Sequence, residues 1–327
     1  MSDRHDERFF AAAPAEALLA VTEAAAIAQT APHLESEGLR LEAAIEAMHE
    51  SLLANGLRGR LVAGKGLGLK LGRLYTGERL GSGPRGTLDL PALDLAVDPV
   101  EGTSFAGEGG EALAVLAATT EGAFLDPGPG FYMEKLVAPP AAAGRLDPGK
   151  PLAGRLADLA AALDKPVQRL TIAVLEKPRH RILVEQLRAA GAQVRLTPAG
   201  DVALALQALL PEEPLDALMG TGGFAEGLMA AAAARALGGT FFGRFDPQLQ
   251  SERLTLAKAG IDTRRWYGLE ELVRAPQTLF LATGIRPGWL GGVERGPGWL
   301  STSSFALTGP GGERMRVTRV RPWREAA

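Results

Sequence analysis

Cysteine is absent from all 327 residues, which excludes disulfides and zinc–thiolate centres and permits a reducing, cytoplasmic setting. Histidine is scarce: His5, His33, His49 and His180 are scattered without the spacing of a metal-ligand set. Excess charge is small, at −3, and no long basic run occurs, so nucleic acid is not an expected partner. Uninterrupted apolar stretches of about 18 residues are also missing, so no membrane span is expected. Met1 to Arg8 are charged and lead into Phe9-Phe10-Ala11-Ala12-Ala13. That run makes a poor signal peptide, because the alanine-rich segment continues as an acidic helix. A soluble, cytoplasmic protein is expected.

What is present is apolar content, 46% of residues, enough for a sizeable buried core. The length suits two domains, and the Pro/Gly/Ala-rich stretch 138–154 reads as a connection between them. The expected division is 1–155 and 156–327. In the first part, residues 14–30 read as an alanine-rich helix. Residues 39–53 read as a second, with Leu41, Ile45, Met48 and Leu52 on one stripe. Leu57–Gly68, Leu93–Val97, Ala112–Thr119, Ala123–Leu125 and Tyr132–Val137 read as strands, and Leu74–Leu80 as a strand or turn. The second part alternates. Strands at Arg169–Leu175, Gln193–Leu196, Ala217–Gly220 and Leu279–Ala282 are interleaved with helices at Arg181–Ala190, Val202–Leu210 and Glu226–Leu237. That order predicts an α/β domain with helices covering a sheet. Strand-like stretches flank the turn Gly309-Pro310-Gly311-Gly312 near the end.

Five segments carry candidate chemistry. Asp94-Leu95-Ala96-Val97-Asp98-Pro99-Val100-Glu101-Gly102-Thr103 reads as a strand stopped by Pro99. It presents two acids around a turn, beside a glycine that admits a phosphate and a threonine hydroxyl. Paired carboxylates suit a hard cation, Mg²⁺ or Mn²⁺, and metal-assisted phosphate ester chemistry. An ordinary strand end with solvated acids is the alternative. Met219 to Gly227 reads as a strand, a glycine-rich turn and a helix beginning near Glu226, suited to phosphate or to simple helix capping. Glu176-Lys177-Pro178-Arg179-His180 places two cations at a strand end, for a sugar phosphate or for solvent. Tyr132 follows a glycine loop and offers either a hydroxyl or a core aromatic ring. Asp201, after Ala199-Gly200, is an N-cap first and a sugar-hydroxyl ligand second.

In this collinear order the segments resemble the class II fructose-1,6-bisphosphatases of the lithium-sensitive, metal-dependent sugar phosphatase superfamily. The likeness runs from Val21-Thr22-Glu23 to Phe280-Leu281-Ala282-Thr283-Gly284-Ile285. It implies a layered α-β-α-β-α sandwich of two domains with the active site between them. It also implies a homo-oligomer and hydrolysis of the 1-phosphate of fructose 1,6-bisphosphate. A Mn²⁺ or Mg²⁺ site is implied at Asp98, Glu101 and Glu226, with Glu101 and Thr103 acting in catalysis. Implied substrate contacts are Glu101, Gly102, Thr103, Tyr132, Lys177, Pro178, Arg179, Ala199, Gly200, Asp201 and Gly223. Ala199 and Arg181 stand where the family favours aspartate. Leu41, Lys65 and Leu69 stand where it carries acids for a second metal and the attacking water. One retained metal site is therefore expected, with Lys65 substituting for the other cation beside a phosphate. The resemblance leaves room for a weakly active sugar-phosphate binder and for other monoesters, such as an inositol phosphate or sedoheptulose bisphosphate.

Overall fold

A computed structural model describes residues 12–64, 72–81, 92–102 and 110–323. The chain forms two compact units, one built from Met1–Ala123 with Ala275–Ala327 and the other from Phe124–Arg274. In chain order the first unit opens with helices α1 (Ala12–Gln29) and α2 (Glu37–Ala54). Strands β1 (Arg58–Ala63), β2 (Arg79–Leu80), β3 (Ala92–Glu101) and β4 (Ala112–Thr120) follow. The second unit contains β5 (Tyr132–Ala138), α3 (Leu152–Leu163), β6 (Thr171–Leu175), α4 (Arg181–Ala189) and β7 (Gln193–Thr197). It continues through α5 (Asp201–Leu209), β8 (Ala217–Gly223), α6 (Phe224–Leu237), β9 (Thr240–Phe245), α7 (Gln250–Lys258), β10 (Tyr267–Gly268) and α8 (Leu269–Leu272). The chain then returns to the first unit with β11 (Thr278–Arg286), β12 (Glu294–Gly296), β13 (Trp299–Gly309) and β14 (Glu313–Pro322). The mixed α/β class expected from the sequence is observed.

The expected boundary at residue 155 falls inside α3, and the units divide elsewhere. Pairing is the reason. β5 hydrogen-bonds to β8 and β9, which ties it to the second sheet. β11 pairs with β4 and β13, which returns the C-terminal strands to the first.

Among the described residues the first sheet has eight strands, ordered β12-β13-β11-β4-β3-β1-β2, with β14 paired to β13. Helices α1 and α2 cover one face: Leu18, Leu19, Met48 and Leu52 share a core with Leu93, Leu95, Val97, Leu116, Leu279 and Leu281. The start of α2 is held by Ser36, whose hydroxyl accepts the Leu39 amide at 3.2 Å. Leu41 is half-buried and packs against this core, as its place on the apolar stripe predicts.

The second sheet has six strands, ordered β10-β9-β5-β8-β6-β7. β6 is parallel to both β7 and β8. The path β6–α4–β7 steps outward, and β7–α5–β8 returns across β6. With right-handed crossovers, this reversal puts α4 and α5 on opposite faces. The packing agrees: Val184 and Leu187 of α4 join a core with Leu136, Ile172 and Val174. Lys135, on the alternate face of β5, is ion-paired with Asp201 of α5. Open α/β sheets bind ligands at the carboxyl ends of strands flanking such a reversal, here β6 and β8.

Candidate active site

In the first unit the acids of β3 differ from expectation in one respect. Pro99 does not stop the strand, which runs on to Glu101. Asp98 pairs with Val115 and Glu101 with Leu113, so three steps on β3 match two on β4. This bulge absorbs the residue without an amide hydrogen, and Asp98 Oδ1 accepts the Val100 amide at 3.0 Å across it. The bulge also has a consequence for function. Residues three apart on a regular strand face opposite ways. With one extra residue, Val97 and Val100 both reach the helix-covered core, and Asp98 and Glu101 share the other face. Both acids are buried. Gly102 follows at φ +91°, where an added Cβ would come within 2.5 Å of the Glu111 carbonyl oxygen. Glycine therefore makes the tight exit from β3 possible.

Buried carboxylates with hard oxygen donors fit a divalent cation such as Mn²⁺ or Mg²⁺. Within each unit, among the described residues, no three histidine or acidic side chains are grouped as a metal site. The Glu78 carboxylate is paired with His49: its Oε1 lies 2.9 Å from His49 Nε2, and the other ring nitrogen faces Arg73 at 3.1 Å. Asp94 is buried with Arg60 Nε 3.5 Å from its Oδ1. Lys65, Leu69 and Thr103 lie outside the described residues.

In the second unit the expected contact residues gather at one end of the sheet, the carboxyl end of β6 and β8. Tyr132 opens β5 opposite Gly223 of β8. Lys177 and Pro178 follow β6, and the exposed Arg179 turns back across the end of β8. Its Nε and Nη2 donate to the Thr221 carbonyl oxygen at 3.1 and 2.9 Å, and its guanidinium lies 5.4 Å from the Tyr132 ring centre. Tyr132 is half-buried, neither a closed core ring nor a free surface group. Cation and ring thus present a charged, stacked edge of the kind that receives a phosphate.

Asp201 is not an N-cap, because Gly200 takes that position at φ +95°. Asp201 is instead the first residue of α5, buried and ion-paired with Lys135 of β5. Half-buried Ala199 and buried Gly200 form the loop before it. Helix α6 begins at Phe224 with Gly223 as its N-cap, which puts Glu226 in the first turn. The Glu226 carboxylate folds over Gly223 so closely that a Cβ there would overlap it.

Three buried groups serve this end without a role of their own in the sequence reading, although His180 and Lys135 lie in segments read there as candidate chemistry. Lys135 holds Asp201. Glu252 of α7 accepts the Phe131 and Tyr132 amides at 2.7 and 3.0 Å and the Gln248 amide at 3.1 Å. His180 joins Leu175 to Thr221. The usable signal was Gly220-Thr221-Gly222-Gly223, since glycines in a strand mark close approach by other groups.

The family model for bacterial, glpX-encoded fructose-1,6-bisphosphatase matches residues 13–320. The chain belongs to the class II fructose-1,6-bisphosphatase family. It is 36% identical over 293 residues to fructose-1,6-bisphosphatase 1 class 2 of Escherichia coli K12, covering 85% of each chain. It is 37% identical over 287 residues to the D-fructose 1,6-bisphosphatase class 2/sedoheptulose 1,7-bisphosphatase of Microcystis aeruginosa, covering 81% of this chain and 83% of the relative. The family is metal-dependent, and its members are phosphoric monoester hydrolases. Among the described residues no helix is long and apolar enough to cross a membrane.

Proposed function

We propose that this protein binds fructose 1,6-bisphosphate in the cytoplasm and hydrolyses its 1-phosphate slowly. The observation that carries this is the gathering of Tyr132, Lys177, Arg179, Asp201 and Gly223 at the crossover reversal of the second sheet, in a chain of a sugar-bisphosphatase family. Lys177 and Arg179 offer cations to phosphate, and Tyr132 offers its hydroxyl. Asp201 accepts from a sugar hydroxyl, beside the backbone of Ala199, Gly200 and Gly223. On the family resemblance, Asp98, Glu101 and Glu226 are the acids that would hold one Mn²⁺ or Mg²⁺ ion, which would supply positive charge to phosphoryl oxygens. Gly102 admits the phosphate to the backbone, while Thr103 aligns the attacking water and the Glu101 carboxylate accepts its proton.

Slow turnover follows from Leu41, Lys65 and Leu69. Exchanging two metal-binding carboxylates for a leucine and an ammonium raises the local formal charge by about 3, and losing a divalent ion lowers it by about 2. The balance favours holding a phosphate over generating hydroxide. Packing of Leu41 against the apolar core is what favours the related reading, a sugar-phosphate binder with a regulatory role. Phosphate release, measured with Mn²⁺ and Mg²⁺ on fructose 1,6-bisphosphate, sedoheptulose 1,7-bisphosphate and an inositol phosphate, tests the proposal. Hydrolysis at least about 10²–10³-fold below that of the Escherichia coli relative is expected, the range commonly lost with one stabilising group. The triple change Leu41→Asp, Lys65→Glu and Leu69→Asp is expected to raise it. Wild-type turnover equal to the relative's, or no gain on triple change, would refute the account of slow turnover. Light scattering is expected to show a homo-oligomer.

A further inference from the structure

Thr221 has all three of its polar groups engaged. Its amide donates to His180 Nε2 at 2.7 Å, its carbonyl accepts the two Arg179 bonds, and its hydroxyl donates to Asp246 Oδ2 at 2.5 Å. The other imidazole nitrogen, Nδ1, lies 2.7 Å from the Leu175 carbonyl oxygen. A carbonyl only accepts, so Nδ1 carries the ring hydrogen, and Nε2 is the acceptor that the Thr221 amide requires. The ring is buried and reaches the strand because residue 220 is glycine. At φ +124°, a Cβ on Gly220 would stand 2.9 Å from Nε2. The turn that carries Arg179 and His180 therefore grips one residue of β8 through the two peptide units that flank it: imidazole on the Thr221 amide, guanidinium on the Thr221 carbonyl.

We propose that His180 is a positioning residue. In its neutral form it fixes the backbone of Thr221 at its amide, and through the carbonyl of the same residue it aims the Arg179 guanidinium at a substrate phosphate. The inference rests on the reading that Arg179 meets substrate. Protonation would place a second donor against the Thr221 N–H and break the grip. Burial holds the imidazole below its ordinary pKa, opposed by its bond to Leu175. The charged groups around it are Arg179, which also lowers it, and Asp246 and Glu134, which raise it.

The test compares wild type with His180→Gln and His180→Leu in the full-length protein, by calorimetric titration of fructose 1,6-bisphosphate and by phosphate release with Mn²⁺. Glutamine keeps an acceptor for the Thr221 amide, and leucine does not. Glutamine is expected to bind within a few-fold of wild type, and leucine about ten- to a hundredfold more weakly, from the loss of one buried acceptor. KM should rise more than kcat falls. Binding by wild type should weaken in acid relative to His180→Gln, a comparison that cancels titration of the substrate's own phosphates. Equal affinity of leucine and wild type, or parallel pH profiles of glutamine and wild type, would overturn the proposal. If wild type binds no sugar bisphosphate, the functional reading falls, and with it the aiming of Arg179 at substrate. The clasp itself is then decided by Thr221 amide exchange, expected slow in wild type and glutamine and fast in leucine; equal rates would overturn that too.

Discussion

Replacing Lys135 by methionine isolates a deeply buried ion pair of the second unit. The side chains of Lys135 and Asp201 are only 2% and 9% exposed, and the ammonium of one meets the carboxylate of the other directly. Methionine has nearly the length of the lysine stem, so little volume is lost against Gly227 and Met133. What is lost is the charge that compensates Asp201. Breaking a buried pair from one side costs about 3–5 kcal/mol, because the remaining charge has neither partner nor water. With a urea slope of about 2 kcal/mol per molar, the unfolding midpoint should fall by about 2 M. Adding Asp201→Asn removes the stranded charge, and the double variant should recover to within about 1–3 kcal/mol of wild type, the cost of an unpaired amide. Urea unfolding followed by far-UV circular dichroism, with amide exchange along β5 and α5, measures both. A Lys135→Met variant within about 1 kcal/mol of wild type, or a double variant no more stable than the single, would refute a buried pair broken from one side.

Other expectations follow from the remaining buried polar ties. Glu23 of α1 is fully buried and accepts from Thr302 at 3.1 Å, Arg319 at 3.0 Å and Arg321. Both arginines reach solvent, so Glu23→Gln should cost about 2–3 kcal/mol in urea melts, less than a fully buried pair would. Glu252→Gln turns one acceptor into a donor facing backbone amides and should cost about 2 kcal/mol. It should also speed amide exchange at Phe131, Tyr132 or Gln248, according to which oxygen is replaced. For His180 the folded pKa lies below the unfolded one, so the unfolded chain binds more protons in between. Its contribution to stability is complete above about pH 6.5 and is lost as pH falls through the folded value. His180→Gln should therefore lose less stability than wild type between neutral and mildly acidic pH, read by thermal unfolding.

Local pattern made much of the architecture legible. Periodicity located α2 and its apolar stripe, and β-rich apolar runs located β3, β4 and β11. The alternation after residue 169 located the parallel core of the second sheet. What pattern missed depends on partners distant in sequence. Strand β9 carries Gly243 and Arg244 and has no alternation of its own; it exists because β5 pairs with it along its length. Helix α3 begins at the end of a Pro/Gly-rich stretch, and that composition concealed it. Ala123–Leu125, expected as a strand, contributes one bridge between Phe124 and Val273. At residue 99, proline read locally means termination. A bulge instead lets the strand continue and turns two acids to the same face.

The glycine-rich end of β8 shows why site residues are harder to read than elements. In the sequence, Gly220-Thr221-Gly222-Gly223 looks like a phosphate cradle, open backbone awaiting a ligand. In the fold each glycine has a neighbour that needs its missing side chain. Gly220 clears the His180 ring, Gly222 clears Asp201 and Lys135, and Gly223 clears Glu226. The same residue type at the same spacing thus serves internal groups that come from three other segments of the chain and from the first turn of the helix that follows. Room for a ligand's phosphate and room for the side chains that organise its site leave the same mark in sequence. Telling them apart requires the partner's position, which is set by the β6–β7–β8 crossover and by the pairing of β5 with β8. Alanine at 220 or 222 should accordingly damage the ties of Arg179 or Asp201 before it touches any ligand. A loss of Thr221 amide protection in ligand-free Gly220→Ala would show it, and unchanged protection would return that glycine to the cradle.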